Sequence, residues 1–129
     1  MNKTPMISIV DDDESVRNAI GNLVRSIGYE PTLFSCAEDF LASAQLDDTC
    51  CLITDVHMQG MSGLDLQFEL INTGQHMPII FVTAYPEESI RKRAKAAGAT
   101  CYLSKPFDGQ TMIDCIEEIL HSPNGHTCN

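Results

Sequence analysis

Cys50-Cys51-Leu52-Ile53-Thr54-Asp55 is an apolar run that ends on a single carboxylate. A loop with two glycines follows it, from Val56 to Gly63. Uninterrupted apolar runs of this length are typical of strands that are buried on both faces of a parallel sheet. A carboxylate at the C-terminal end of such a strand lies where open α/β sheets bind their ligands. We therefore interpret Asp55 as the reactive group of the chain.

Strand patterns and helix patterns alternate five times along the sequence. The other predicted strands are Met6–Val10, Glu30–Phe34, Pro78–Val82 and Cys101–Leu103. Apolar residues at helical spacing follow each strand, most clearly between Val16 and Ile27. This alternation predicts an α/β fold with one parallel sheet and helices on both faces. The pattern alone leaves the order of the strands open.

Two of the helix starts are predicted from local signals. Ser35 and Glu38 have the spacing of a capping box, which predicts a short second helix through Phe40 and Leu41 to about Ala44. Pro86 is expected to open the fourth helix, because the first turn of a helix does not use the N–H that proline lacks.

The length of 129 residues suits a single domain, which we place at residues 1–121, with a polar C-terminal tail at 122–129. The formal net charge of −10 disfavours direct binding to nucleic acid, which needs clustered basic residues. The chain has no apolar stretch near the ~20 residues of a membrane span and no signal peptide. We therefore expect a cytoplasmic protein with no membrane partner.

Polar residues follow four of the five predicted strands. They are Asp11 and Asp12 after the first, Asp55 at the third, Thr83 after the fourth and Lys105 after the fifth. The ends of parallel strands meet at one edge of the sheet, so these side chains are expected to converge. Three clustered carboxylates repel one another, and a cation with oxygen ligands, Mg²⁺ or Mn²⁺, relieves that repulsion.

This set of groups suits phosphoryl transfer to a carboxylate. A carboxylate can attack phosphorus and form an acyl phosphate. The reaction mainly needs positioning and neutralisation of the phosphoryl oxygens. The metal ion, the Lys105 ammonium and the Thr83 hydroxyl can each contact one of those oxygens.

Four motifs in order carry a family resemblance. The motifs are Val10-Asp11-Asp12-Asp13-Glu14-Ser15-Val16-Arg17, Thr54-Asp55 with Met58 and Gly60-Met61-Ser62-Gly63, Val82-Thr83-Ala84, and Lys105-Pro106-Phe107. From about residue 6 to residue 121 the chain resembles the receiver domain of bacterial two-component response regulators, within the FixJ-like subgroup. The resemblance implies a flavodoxin-like (βα)5 fold with strand order 2-1-3-4-5.

The resemblance also implies a reaction on Asp55. This residue would accept a phosphoryl group from a sensor histidine kinase or a phosphotransfer protein. Asp12, Asp55 and the backbone carbonyl of His57 would bind Mg²⁺ directly, and Asp11 would bind it through water. Thr83 and Lys105 would contact the phosphoryl group. The chain would otherwise not be an enzyme, since it would catalyse only its own phosphorylation and dephosphorylation.

The resemblance further implies a switch and an output face. Tyr102 would change rotamer together with Thr83, and the Lys105–Pro106 peptide bond would be cis. A downstream protein would bind the fourth helix, fifth strand and fifth helix. A phosphorylation-dependent homodimer is a second partner that the resemblance allows. His57 and Tyr85 stand at positions that tune the lifetime of the phosphate.

One position departs from the family pattern. Gln59 stands where the family usually has a proline, which would fix φ and stiffen the loop after Asp55. We therefore expect a more mobile loop in this chain.

Two alternatives stay open at this point. The chain could be a pseudo-receiver that binds partners without phosphorylation, although its site is complete. It could also be an aspartyl-phosphate phosphohydrolase of the haloacid-dehalogenase type. That class needs a second acid two residues after the nucleophile, where this chain has His57.

Overall fold

Five parallel strands form one sheet in the order β2-β1-β3-β4-β5 in the computed structural model, which describes residues 4–121. The strands are β1 (Met6–Val10), β2 (Glu30–Phe34), β3 (Thr49–Asp55), β4 (Ile79–Thr83) and β5 (Cys101–Ser104). The helices are α1 (Glu14–Ser26), α2 (Ala37–Leu41), α3 (Gly63–Asn72), α4 (Glu88–Ala96) and α5 (Gly109–Leu120), with a 3-10 turn at Leu46–Asp48. The predicted flavodoxin-like order and the parallel pairing are both confirmed.

The sheet is covered on both faces because successive side chains of a strand point to opposite sides. In β3, which is buried along its whole length, Cys51 and Ile53 face one layer and Leu52 faces the other. The first layer holds residues of α1 and α5, and the second holds residues of α2, α3 and α4. The central position and full burial of β3 fix its C-terminal carboxylate at the middle of the sheet edge.

The described residues 4–121 contain no helix that is both long and apolar enough to cross a bilayer. The predicted C-terminal tail at 122–129 lies outside the described residues.

The predicted start of α2 is wrong. Cys36, not Ser35, is the N-cap, and it makes no side-chain capping bond. The Glu38 carboxylate instead accepts a hydrogen bond from the backbone N–H of Met61, a partner that is distant in sequence. A capping box does occur at α3, where Ser62 and Asp65 satisfy each other's backbone N–H groups.

The predicted start of α4 is also wrong. Helix α4 begins at Glu88, and its N-cap Glu87 is extended at φ −128° and ψ 133°. A tight turn precedes it, in which the backbone N–H of Tyr85 donates to the Thr83 hydroxyl oxygen at 3.0 Å. This turn keeps Pro86 outside the helix.

Helix α3 begins in direct contact with the end of β3. A Cβ atom built on Gly63 would lie 2.2 Å from the carbonyl oxygen of Asp55, a backbone atom that cannot move aside. The N–H of Gly63 also donates to the carbonyl oxygen of Val56 at 2.8 Å. The absence of a side chain at Gly63 therefore sets how closely α3 approaches the sheet edge.

Gly63→Ala is expected to lower the free energy of unfolding by about 2–3 kcal/mol, because overpacking forces the helix away from the strand. Gly109→Ala is the matched control, since Gly109 is also the first residue of a helix, and its added Cβ would lie 3.4 Å from a Leu23 methyl group. Urea unfolding measures both variants. Equal stability of the two would contradict this account of Gly63.

Candidate functional site

Three carboxylates meet at the C-terminal edge of the sheet. Asp11 follows β1, and Asp55 ends the neighbouring strand β3, in which Thr54 is in register with Val10. Oxygen atoms of Asp11, Asp12 and Asp55 all lie within 4.8 Å of one another. Asp11 and Asp55 are buried, whereas Asp12 is exposed, so the cluster opens to solvent on one side.

Lys105 lies between two of these carboxylates. Its Nζ donates to Asp11 Oδ2 at 3.0 Å and to Asp55 Oδ2 at 3.1 Å. The backbone N–H of Lys105 donates to the Thr83 carbonyl oxygen at 2.7 Å, which ties the loop after β5 to β4. The Lys105–Pro106 peptide bond is cis, as the resemblance implies.

Burial and charge oppose each other at this site. Burial raises the pKa of Asp11, although the backbone N–H of Asp13 and the Lys105 ammonium act to lower it. Burial alone would lower the pKa of Lys105, but its hydrogen bonds and charge attraction to Asp11 and Asp55 outweigh burial and raise it. The ammonium is therefore held in its charged form.

The charge of the cluster fits a divalent cation. Three carboxylates against one ammonium leave an excess of negative charge, and all three side chains offer oxygen ligands. Oxygen-only sets with a solvent-facing side are typical of Mg²⁺ sites, where the ion keeps several waters. The backbone N–H of His57 donates to Asp55 Oδ1 at 3.2 Å and orients this carboxylate. The residues present therefore fit a magnesium ion.

Thr83 supplies a hydroxyl group next to Asp55 at the edge of the sheet. Val82 pairs with Asp55 in the sheet, and Thr83 is completely buried at the end of β4. Its Oγ1 accepts the bond from Tyr85, and a hydroxyl that accepts can also donate its own hydrogen.

Two pairs of aromatic rings include the residues predicted for the switch and for phosphate lifetime. Tyr102 is half-buried, and its ring lies 6.4 Å from that of Phe81. Its buried hydroxyl has no hydrogen-bond partner among residues 4–121, and burial raises its pKa. The rings of His57 and Tyr85 meet edge to face at 5.8 Å, and the Tyr85 side chain is 70% exposed.

The structure brings together the predicted residues Asp11, Asp12, Asp55 and Lys105, with Thr83 on the adjacent strand end. Two other features near the site were missed from the sequence. One is the contact of Glu38 with the loop after Asp55, and the other is the close approach of Gly63 to the Asp55 backbone. For the close approach of Gly63, the only available signal in the sequence was a glycine at the first position of a predicted helix.

A sequence model of the response regulator receiver domain matches residues 7–117. The chain belongs to this family. It is thus a receiver domain of two-component response regulators, as its motifs predict. The described site lies within the matched range.

Relatives of this receiver include regulators and a chemotaxis protein. Nodulation protein W of Bradyrhizobium diazoefficiens is 41% identical over 111 residues, which cover 86% of this chain and 49% of that protein. Transcriptional regulatory protein FixJ of Azorhizobium caulinodans is 35% identical over 114 residues, which cover 88% of this chain and 54% of that protein. The structure of chemotaxis protein CheY4 of Vibrio cholerae superposes with a TM-score of 0.83 at 28% identity and covers 92% of this chain and 100% of that chain. The receiver spans about half the length of the curated relatives it matches.

Proposed function

We propose that this receiver accepts a phosphoryl group on Asp55 from a sensor histidine kinase or a phosphotransfer protein. The observation that carries the proposal is the position of Lys105 Nζ, 3.1 Å from Asp55 and 3.0 Å from Asp11. This places a fixed positive charge beside the candidate nucleophile, where the charge of an incoming phosphoryl group would develop. Such preorganised charge is the main requirement of phosphoryl transfer.

Asp12, Asp55 and the His57 carbonyl would hold Mg²⁺ directly, with Asp11 acting through water. The compact group of carboxylate oxygens within 4.8 Å supports this assignment. The bound cation would neutralise charge on the phosphoryl oxygens.

The bond changes of the reaction involve only Asp55 and the phosphoryl donor, while Mg²⁺ would supply charge neutralisation. An oxygen of Asp55 attacks phosphorus, so an O–P bond forms while the P–N bond of the donor phosphohistidine breaks. The electron pair of the broken bond stays on the ring nitrogen. Because the other ring nitrogen of the phosphohistidine carries a proton, the donor leaves as neutral imidazole. Lys105 then exchanges its contact with Asp55 for a phosphoryl oxygen, and the Thr83 hydroxyl donates to another.

Phosphorylation would be read out through Thr83 and Tyr102. Movement of the Thr83 hydroxyl toward phosphate changes the turn that holds Tyr85, because the two are hydrogen-bonded. Tyr102, whose hydroxyl is buried, would change rotamer together with Thr83. The partner surface would be α4, β5 and α5, where a downstream protein or a second copy would bind.

The direct test is incubation with acetyl phosphate, a small phosphoryl donor, in the presence and absence of Mg²⁺. We expect the intact mass to increase by one phosphoryl group with Mg²⁺, and no increase when EDTA removes the metal. A receiver that stays unmodified in Mg²⁺ would refute the proposed function and would favour a binding role without phosphorylation.

The His57–Tyr85 ring pair is expected to shield the acyl phosphate from water. Tyr85→Ala and His57→Ala should each shorten the lifetime of phosphorylated Asp55 severalfold, because water reaches the phosphorus more easily. Tyr85→Phe keeps the ring and should preserve the lifetime. Decay of the phosphorylated mass after removal of the donor measures all three, and an unchanged decay in both alanine variants would contradict the shielding.

A further inference from the structure

Glu38 contacts the loop that follows the candidate phosphoacceptor. It lies in the first turn of α2, and its Oε2 accepts a hydrogen bond from the backbone N–H of Met61 at 3.1 Å. The two residues are 23 positions apart. The bond therefore joins a helix on one face of the sheet to the loop between β3 and α3.

The conformation of this loop leaves space for the Glu38 carboxylate. Gly60, next to Met61, has a φ of +77°, a left-handed conformation that glycine adopts without strain. A Cβ atom at Gly60 would lie 2.9 Å from Glu38 Oε2, so any side chain there would displace the carboxylate. Hydrogen bonds from the backbone N–H groups of Glu38 itself and of Met61 lower the pKa of Glu38, which keeps it ionised.

The contact occurs where the described loop has no other hydrogen bond, although Met58 and Met61 pack against the core. One end is tied by the bond from His57 N–H to Asp55 Oδ1, and the other by the bond from Gly63 N–H to the Val56 carbonyl. Among the hydrogen bonds of residues 4–121, the bond to Glu38 is the only one that involves residues 58–61.

We propose that Glu38 is a positioning residue: it holds the loop so that the His57 carbonyl faces the metal site. This inference rests on the proposed function, which assigns that carbonyl to Mg²⁺. Gln59 leaves the loop without the φ restraint of a proline, so its geometry depends on a contact from outside. Glu38 supplies that contact from α2, and it is not one of the clustered carboxylates Asp11, Asp12 and Asp55.

The test compares Glu38→Ala with two controls. Glu38→Gln keeps an oxygen that can accept the Met61 bond but removes the charge. Asp39→Ala removes an equally exposed acidic charge from the same turn of α2. Amide hydrogen exchange at Met61 reports the contact itself, and a calorimetric titration with Mg²⁺ alone reports the geometry of the metal site.

We expect Glu38→Ala to speed exchange at Met61 and to weaken Mg²⁺ binding by about threefold to tenfold, the equivalent of one hydrogen bond. Glu38→Gln and Asp39→Ala should stay close to the wild type in both measurements. Equal weakening in all three variants would mean a general charge effect and would overturn the proposal. Unchanged Mg²⁺ affinity in Glu38→Ala would also overturn it.

Failure of the proposed function has a different signature. If acetyl phosphate does not modify the wild type, phosphorylation of Asp55 is refuted, yet the Mg²⁺ titrations and Met61 exchange still decide the role of Glu38. If the wild type binds no Mg²⁺, the positioning role is overturned as well.

Discussion

Asp55→Asn is expected to reduce phosphorylation by acetyl phosphate to background. The amide has no negatively charged oxygen to attack phosphorus, so the acyl phosphate cannot form. The variant should fold, because the amide has the shape of the carboxylate and its single oxygen keeps one of the two bonds, from Lys105 Nζ or from His57 N–H, which end on different oxygens of Asp55. Intact mass after incubation with acetyl phosphate and Mg²⁺ measures the loss.

Asp39→Asn is a suitable control for this prediction. Asp39 is an exposed carboxylate in the first turn of α2 and has no contact with Lys105. It should be phosphorylated to the same extent as the wild type. Label retained in Asp55→Asn would show that another residue accepts the phosphoryl group.

Lys105→Met is expected to have the largest effect on stability. Loss of the ammonium leaves the buried carboxylates of Asp11 and Asp55 facing each other, and breaking such a pair should cost about 3 kcal/mol near neutral pH. Phosphorylation should also slow by about 100-fold, because one donor that stabilises developing charge is lost. Urea unfolding and the rate of phosphorylation measure the two effects.

The stability loss has a defined dependence on pH. The pKa of Asp11 is raised above 3.8 in the folded state, and without Lys105 it is raised further. A carboxyl group with a raised pKa favours folding below its unfolded pKa, and this contribution is lost as the pH rises through the folded value. The deficit of Lys105→Met should therefore be small near pH 4 and larger near pH 7.

Mg²⁺ provides a further control on the same variant. Because a bound cation replaces the missing positive charge, it should recover part of the stability at neutral pH. A deficit that is the same at both pH values and insensitive to Mg²⁺ would mean that Lys105 acts through packing of its chain rather than through its charge.

Much of the fold was predictable because the central strands β1, β3 and β4 are short, mainly apolar and mostly buried. Runs such as the one ending at Asp55 have the same pattern in the sequence as in the buried sheet. The convergence of Asp11, Asp55 and Lys105 followed from topology, since parallel strands end at the same edge. The strand order itself came from the resemblance, because periodicity does not distinguish neighbours.

One error arose where a distant partner outweighed a local signal, and the other where a local turn did. The spacing of Ser35 and Glu38 predicted a capping box, but Glu38 bonds to Met61 in space. Pro86 was a reasonable first residue for a helix, but the bond from Tyr85 to Thr83 delays α4 until Glu88. The contact of Glu38 spans 23 positions and cannot be read from sequence spacing, whereas the turn at Thr83 joins residues two apart.

The central claim, that Asp55 carries the phosphoryl group, is tested most directly by chemical mapping of the modified wild type. Borohydride reduces an acyl phosphate to the alcohol, so peptide mass spectrometry identifies the modified aspartate as homoserine. The account predicts homoserine at position 55 alone, formed only when Mg²⁺ was present. Homoserine at Asp11 or Asp12, or a phosphoryl group on His57, would contradict it.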